Sequence, residues 1–290
     1  MTELIDRIAE LRAATDACRA GRGTVGLVPT MGYLHEGHRS LMRIARSECD
    51  LVVVSIFVNP LQFGPTEDLE RYPRDLDGDV AACRDEEVDV VFAPATTEMY
   101  PRGAPVTTVH VARLTDGLCG AFRPGHFDGV TTVVTKLFAI TGPCRAYFGR
   151  KDAQQLAVVR RMASDLDLPV TVVGCPLVRE VDGLALSSRN AYLDAEDRRA
   201  APVLSRALFA AAAAARAGER DTARLRATAR DVLAAEPRVA VEYLECVDPE
   251  TLESIASLPA IGPGVLLAAA IRVGATRLID NVMLEVDPVG

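Results

Sequence analysis

The sequence predicts an α/β protein with a Rossmann-like parallel-sheet domain followed by a smaller α+β domain with antiparallel strands. Three observations predict it. Short apolar runs alternate with helix-length amphipathic segments over the first 176 residues, which is the pattern of βαβ units. After Cys175 the pattern changes to two consecutive Ala-rich helical segments. Those are followed by three strand-like runs, the last two flanking a Gly-Ala turn. The expected domains are 1–176 and 177–290, the second acting as a lid, with no internal repeat, low-complexity tract or long linker.

Taken in order, Leu4, Ile5, Ile8 and Leu11 recur at helical spacing and predict an opening helix, broken by Gly21-Arg22-Gly23. Residues 25–29 (VGLVP) read as a buried strand, 30–37 as a glycine-bearing turn, and 38–47 as a helix with Leu41, Ile44 and Ala45 inward. A second apolar strand over 51–58 stops at Asn59-Pro60, because proline cannot donate to a ladder. Residues 75–87 predict a helix, 88–93 (VDVVFA) a third strand and 106–111 another short strand. An apolar helix over 130–140, a strand over 146–149, a helix over 153–165 and a strand over 170–173 complete the first domain. In the second, 204–217 and 221–235 predict helices, and 240–247, 265–273 and 276–284 predict strands. Ligands of parallel sheets bind beyond the carboxyl ends of the strands, so the turns that follow the first, second and 146–149 strands are the places to look for chemistry.

Composition narrows the classes. The 290 residues carry 40 acidic and 32 basic side chains, a formal charge of −8. That balance disfavours nucleic acid and anionic membrane surfaces as partners while permitting a local basic pocket. No apolar run approaches the ~20 residues needed to span a bilayer. The start, MTELIDRIAELRAAT, is charged throughout and lacks a signal-peptide core. Seven cysteines without a CxxC pair argue against a disulfide framework or zinc knuckle, and fit reduced thiols in a cytoplasmic protein.

The sharpest chemical signal is 29–38, PTMGYLHEGH, which joins the first strand to a helix. His35 and His38 are three apart and share a helix face at an N-terminus, where backbone N–H groups favour an anion. Imidazole donors added there suit a phosphate chain whose charge grows as a bond to phosphorus breaks. Two histidines flanking a carboxylate also admit a metal, but HEGH is not HExxH and no third ligand is evident; two surface histidines at a cap are the plain alternative.

A strand followed by HxGH resembles the nucleotidyltransferase superfamily that includes class I aminoacyl-tRNA synthetases. Four further segments sharpen the resemblance: SIFVNPLQFGPTEDLERYPR (55–74), RPGHFDGV (123–130), YFGRKDAQQL (147–156) and GLALSSRNAYL (183–193). Together, in order and over nearly the whole chain, they resemble the pantothenate synthetase family. The resemblance implies ATP-dependent joining of pantoate to β-alanine with Mg²⁺, through a pantoyl adenylate, in a cytoplasmic homodimer that binds no nucleic acid or membrane.

By the same resemblance His35, His38, Lys151, Ser187, Ser188 and Arg189 carry catalysis. Those six bind ATP together with Pro29, Thr30, Met31, Gly149, Asp152, Val178 and Leu186. Met31, Asn59, Gln62 and Gln155 bind pantoate, and Asp79, with Asp77 a weaker candidate, holds Mg²⁺. The chemistry of these side chains agrees. Amides donate and accept, which suits a hydroxy acid. Lys151 supplies a point charge, and two hydroxyls beside a guanidinium make a phosphate clamp. Each also has a plainer reading: Asn59 and Gln62 as turn residues, Lys151-Asp152 as a solvated helix start, Ser187-Ser188 as a cap. Arg123 and His126 are expected to line or gate the site. The chain departs from the family pattern at Arg150 and Ala153, where Glu and Tyr are usual, at Leu186 for Met, and at Gly78 beside Asp79. Competing classes are an adenylyltransferase, which keeps HxGH but has no need of NPLQF or KDAQQ, and a nucleotide-binding regulator without turnover.

Overall fold

The structure is a computed structural model, described here for residues 2–65, 67–259 and 264–285. The chain divides into two compact units: Met1–Thr115, Arg123–Arg150 and Val158–Pro176 form the first, and Asp116–Phe122, Lys151–Ala157 and Leu177–Gly290 the second.

The elements run β1 (Glu3–Ile5), α1 (Ile8–Ala20), β2 (Val25–Thr30), α2 (Glu36–Glu48), β3 (Leu51–Ile56), α3 (Leu76–Asp85), β4 (Val90–Phe92), α4 (Thr96–Met99), α5 (Cys119–Phe122), α6 (His126–Thr141), β5 (Cys144–Gly149), α7 (Ala153–Asp165) and β6 (Val170–Cys175). Then follow α8 (Ala195–Ala200), α9 (Val203–Arg216), α10 (Thr222–Ala234), β7 (Val239–Val247), β8 (Val265–Val273) and β9 (Thr276–Leu284).

In the first unit six strands form one parallel sheet in the order β1-β4-β3-β2-β5-β6. β2 and β3 pair in register from Val25↔Leu51 to Thr30↔Ile56. Their alternate side chains, among them Val28, Val52 and Val54, are fully buried against Leu41, Met42 and Ala45 of α2 and Val80 and Cys83 of α3. The helix α6 packs on α1 and β2, and buries Phe127, Val130, Val134, Leu137 and Phe138.

Two predicted elements differ. Leu4 and Ile5 belong to β1 and pair with Val91 and Phe92, and the helix begins only at Ile8. Their spacing to Ile8 and Leu11 mimics a helical stripe, yet Ile5 is buried as an edge-strand residue. Residues 106–111 form no strand. Val106 is fully exposed, and the backbone of Val109 is satisfied by α6, its N–H donating to Thr132 Oγ1 and its carbonyl accepting from Thr131 Oγ1. Threonine hydroxyls there do what a neighbouring strand would otherwise do.

In the second unit β7, β8 and β9 form an antiparallel sheet. β8 and β9 pair from Val265↔Leu284 to Val273↔Thr276 across a two-residue turn at Gly274-Ala275. Gly274 has φ +56°, and a Cβ there would lie 2.2 Å from Asp197 Oδ2, so any other residue would be strained and would displace that carboxylate. The sheet buries Leu244, Leu267, Ile271 and Leu278 with the faces of α9 and α10. Alanines 207, 211, 212 and 215 on α9 are buried at that contact, where small side chains let α10 approach closely.

Leu208, fully buried in this core, is the sharpest probe of it. Leu208→Ala is expected to cost about 3 kcal/mol. The urea midpoint should fall with an unchanged slope, since the surface exposed on unfolding is the same.

Candidate functional site

The first unit assembles its chemistry where β2 and β3 end. Thr30, the last residue of β2, donates from Oγ1 to the Ser55 carbonyl (2.7 Å) and accepts from the Gly32 N–H (3.2 Å). The chain then turns through Gly32 at φ +81° and Tyr33 at φ +51°. A non-glycine residue in that left-handed region is uncommon and persists only where its surroundings hold it. Asp79 holds it: Oδ2 accepts from the Tyr33 N–H at 2.8 Å and Oδ1 from the Leu34 N–H at 2.7 Å. Burial raises the Asp79 carboxyl above its ordinary range, and these two N–H bonds recover part of that rise.

His35 follows as the N-cap of α2. Its Nδ1 accepts from the Gly37 N–H (3.1 Å), while His38 Nδ1 accepts from the His35 N–H (3.3 Å). The pair forms a reciprocal capping box with ring centroids 4.1 Å apart. A neutral imidazole that accepts at Nδ1 carries its proton at Nε2. Both rings are thus set as Nε2–H donors at the N-terminus of α2, where an anion is favoured. Capping is thus what fixes the tautomer.

Beyond β3, Asn59 is buried and joins a second cluster. Its Nδ2 donates to the Gly129 carbonyl (3.0 Å) and to Gln62 Oε1 (3.2 Å), and its Oδ1 accepts from the Tyr100 hydroxyl (2.8 Å) and the Leu61 N–H (3.3 Å). Gln62 Nε2 lies 2.9 Å from Met31 Sδ. The structure therefore brings Met31, Asn59 and Gln62 together. A Cβ on Gly129 would lie 2.3 Å from the Leu61 carbonyl oxygen, so glycine is what lets α6 reach this turn. Arg123 and His126 stand behind Gln62. The Arg123 guanidinium makes a paired contact with Glu67 (2.7 and 2.6 Å) and meets His126 Nε2 (2.9 Å). Because arginine only donates, His126 accepts at Nε2 and donates from Nδ1 to the Gln62 carbonyl (2.8 Å). Burial raises the Glu67 carboxyl, but hydrogen bonds and charge from Arg123 outweigh it and hold the group below its usual range.

β5 ends at Gly149, where an added Cβ would meet nothing within 4 Å, so space is open beside the backbone. Arg150, the reversed charge of the motif, donates from Nε to the Gly174 carbonyl at 3.2 Å, at the end of β6.

The second unit carries the remaining predicted residues. Lys151 and Asp152 sit in a single 3-10 turn, with Nζ 3.5 Å from the Asp152 carboxylate. Asn281 of β9 donates to the Lys151 carbonyl at 2.9 Å and so ties that turn to the antiparallel sheet. Gln155 is half-buried on the first turn of α7. Its neighbour Gln154 is buried, accepting from the Cys119 N–H and donating to the Gly117 carbonyl, both at 2.9 Å. Residues 178–186 form a narrow antiparallel loop, with an Arg179↔Ala185 bridge and Leu186 N–H donating to the Val178 carbonyl. Arg179 is clamped by buried Asp280 (2.6 and 2.9 Å) and stacks over Phe209 (4.8 Å). The loop delivers Ser187, whose Oγ accepts from the Arg189 N–H (3.3 Å) and caps the 3-10 turn Ser188–Tyr192. The cap reading and a phosphate-binding reading thus apply to the same serine.

The comparisons with known proteins bear on this geometry. The family model described as pantoate-beta-alanine ligase matches residues 3–283. The chain belongs to the pantoate–β-alanine ligase family. It is 57% identical to the pantothenate synthetase of Heliobacterium modesticaldum over 98% of this chain and 99% of that one. It is 56% identical to that of Roseiflexus sp. over 97% and 99%. A crystal structure of the Thermus thermophilus pantothenate synthetase is 50% identical, with a TM-score of 0.91 over 97% of this chain and 99% of that one. The Francisella tularensis pantoate–β-alanine ligase, solved with a β,γ-ATP ligand and β-alanine, is 31% identical with a TM-score of 0.80, covering 99% and 100%. The enzyme is a ligase of pantoate and β-alanine with an α/β fold, as the motif segments imply.

Sequence reasoning missed Asp79 as an anchor of the His35 turn, Tyr100, and Asn281. A carboxylate in the first turn of α3, four residues after Asp75, was the one available sign, and it reads equally as a metal ligand. Asp79→Asn keeps one acceptor and turns an NH₂ group toward the other backbone N–H. It is expected to lower stability by about 1–3 kcal/mol, read in thermal unfolding.

Proposed function

We propose that the ligase works by two steps, an in-line displacement at phosphorus and an acyl transfer. The pantoate carboxylate attacks the α-phosphorus of ATP, forming pantoyl adenylate and releasing pyrophosphate. The β-alanine amine, in its neutral form, then attacks the acyl carbon, forming the amide and releasing AMP and a proton. Adenylation supplies the leaving group that a carboxylate lacks, so the protein positions reactants and stabilises phosphate charge without a nucleophile of its own.

The observation that carries the reading is the reciprocal cap of His35 and His38, which sets two Nε2–H donors at a helix N-terminus. We assign them to the ATP phosphates and to the charge that builds as pyrophosphate leaves. Pro29, Thr30 and Met31 line the approach from β2, and the open space at Gly149 receives the nucleoside. Met31, Asn59 and Gln62 bind pantoate, with Gln155 a further contact. We assign Lys151, Ser187, Ser188 and Arg189 as cationic and hydroxyl donors to the phosphates, Asp152 as an acceptor from ribose hydroxyls, and Val178 and Leu186 as contacts of the nucleotide. ATP and β-alanine in the Francisella tularensis relative support the substrate classes.

Mg²⁺ belongs to this reading as a companion of the ATP phosphates. Among the described residues no three His, Cys, Asp or Glu groups converge on a point. Asp79 is buried with both oxygens committed to Tyr33 and Leu34, and Asp77 is exposed on the first turn of α3. Among the described residues no three-ligand cage is built, and we assign Asp79 to the turn in place of the metal role expected of it. Mg²⁺ commonly keeps several waters and bridges substrate phosphates, which requires little of the protein.

We read the enzyme as a homodimer of the cytoplasm by family resemblance. All seven cysteines are free thiols, which suits a reducing compartment, and among the described residues no helix is long and apolar enough to cross a membrane.

Pyrophosphate–ATP isotope exchange tests the first step. Exchange should require Mg²⁺ and pantoate and proceed without β-alanine; exchange without pantoate would refute the acyl-adenylate order. His35→Ala is expected to lower the exchange rate about 10²–10³-fold. Asp79→Asn should leave the half-saturating Mg²⁺ concentration within twofold of the parent enzyme at fixed ATP. A tenfold rise would return the metal to Asp79.

A further inference from the structure

Tyr100 follows α4 outside every motif segment, yet it closes the Asn59 cluster. It is buried, its ring centroid lies 6.0 Å from that of Phe57, and the Lys136 ammonium sits 5.7 Å from its own ring centroid. Burial pushes its phenol up to about 12, so the hydroxyl keeps its proton across the working pH range.

Donor directions in the cluster follow from chemistry. The Gly129 carbonyl only accepts, so Asn59 Nδ2 faces it. The Leu61 N–H only donates, so Asn59 Oδ1 faces that side. The Tyr100 hydroxyl, 2.8 Å from the same Oδ1, therefore donates, and its bond is the shorter of the two. The second hydrogen of Asn59 Nδ2 goes to Gln62 Oε1 at 3.2 Å. That makes the oxygen of Gln62 the inner end of its amide and turns Nε2 toward Met31 Sδ at 2.9 Å. A thioether is a weak acceptor, so this N–H has more to gain from an oxygen.

We propose that Tyr100 is a positioning residue that fastens Asn59 in the orientation its backbone partners select, and through it Gln62, so that the Gln62 amide presents N–H to an acceptor oxygen of pantoate. The proposal rests on the reading of Met31, Asn59 and Gln62 as the pantoate pocket. Along the chain the Tyr100 O–H donates to Asn59, one Asn59 N–H to Gln62, and the Gln62 N–H faces Met31. A site built to donate to a substrate oxygen discriminates against an analogue without it, because the donor is then left unpaired.

Tyr100→Phe keeps the ring and removes the hydroxyl. It is expected to raise KM for pantoate about fivefold, the equivalent of one ordinary hydrogen bond. The KM values for ATP and β-alanine should stay put, and kcat should change less than twofold. The kcat/KM preference for pantoate over its analogue lacking the 2-hydroxyl should fall by a similar factor. Parallel shifts in all three KM values, or a loss confined to kcat or thermal stability, would overturn the proposal. Phe57→Leu is the packing control, loosening the Tyr100 ring while keeping every hydrogen bond. It should lower the melting temperature and leave the pantoate KM alone; a rise equal to that of Tyr100→Phe would refute a role for the hydroxyl. Gln62→Glu separates this proposal from the reading beneath it. An acidic side chain there should raise the pantoate KM at least 100-fold by repulsion and loss of the donor. An unchanged value would remove pantoate from this cluster altogether. A large rise with Gln62→Glu beside none with Tyr100→Phe would keep the pocket and eliminate the relay.

Discussion

The buried carboxylate of Asp79, accepting from two consecutive backbone N–H groups, is the constraint on which the catalytic end of the first unit depends. The path from β2 to α2 passes through two residues with positive φ, and one of them, Tyr33, is not glycine. Left to local preference that turn would relax, since holding a non-glycine residue there costs about 1–3 kcal/mol. Charge-assisted hydrogen bonds at 2.7 and 2.8 Å are among the stronger restraints a protein has. They fix where the chain stands at Leu34, one residue before His35. The histidine cap can then close on itself, and its closure decides which imidazole nitrogens carry hydrogen.

The same device recurs in both units. Thr131 and Thr132 of α6 satisfy the backbone of Val109, Gln154 pins Gly117 and Cys119, and Asn281 pins Lys151. In each case a polar side chain on a regular element fastens an irregular segment by its backbone. Buried backbone groups must be paired, so a loop fastened in this way is as well determined as a strand. The segments 116–122 and 151–157 pack with the second unit through contacts of this kind, although they lie within the span of the parallel sheet in sequence.

Much of this fold is legible from the chain. β2, β3, β8 and β9 show as apolar or alternating runs closed by proline or glycine, and α7 follows a turn with an unbroken apolar stripe. The HxGH segment shows because two titratable side chains stand where a helix begins. What is not legible depends on partners far along the chain. β1 is three residues long, and Leu4 and Ile5 fall by coincidence on the stripe of Ile8 and Leu11; only pairing with β4 distinguishes strand from helix. Residues 106–111 look like a strand because the signal for a strand is apolar side chains, whereas the hydroxyls that replace its partner lie more than twenty residues away. Asp79 and Tyr100 share that difficulty. A carboxylate or phenol has the same local appearance whether it meets a metal, a substrate or the backbone, and its role is set by what lies 46 or 41 residues distant.

The distribution of charge suits the proposed first step, in which a carboxylate must reach a triphosphate although both are anionic. A guanidinium against the pantoate carboxylate would bind it well and lower its energy before attack, which directs binding energy to the ground state. The side chains of Met31, Asn59 and Gln62 carry no charge. Arg123, the cation behind them, is neutralised by Glu67, and the Lys136 ammonium is held over the Tyr100 ring. In the proposed pocket, neutral amide donors would orient the nucleophile while leaving its electron density available. In the tautomer its cap selects, the histidine pair keeps Nε2–H donors for the phosphate role proposed for it. Cationic help is then concentrated on residues assigned to the leaving pyrophosphate, Lys151 and Arg189, where charge increases during the reaction and stabilisation accelerates it. On the proposed reading, pairing Arg123 with Glu67 behind Gln62 matters as much as placing a cation at Lys151.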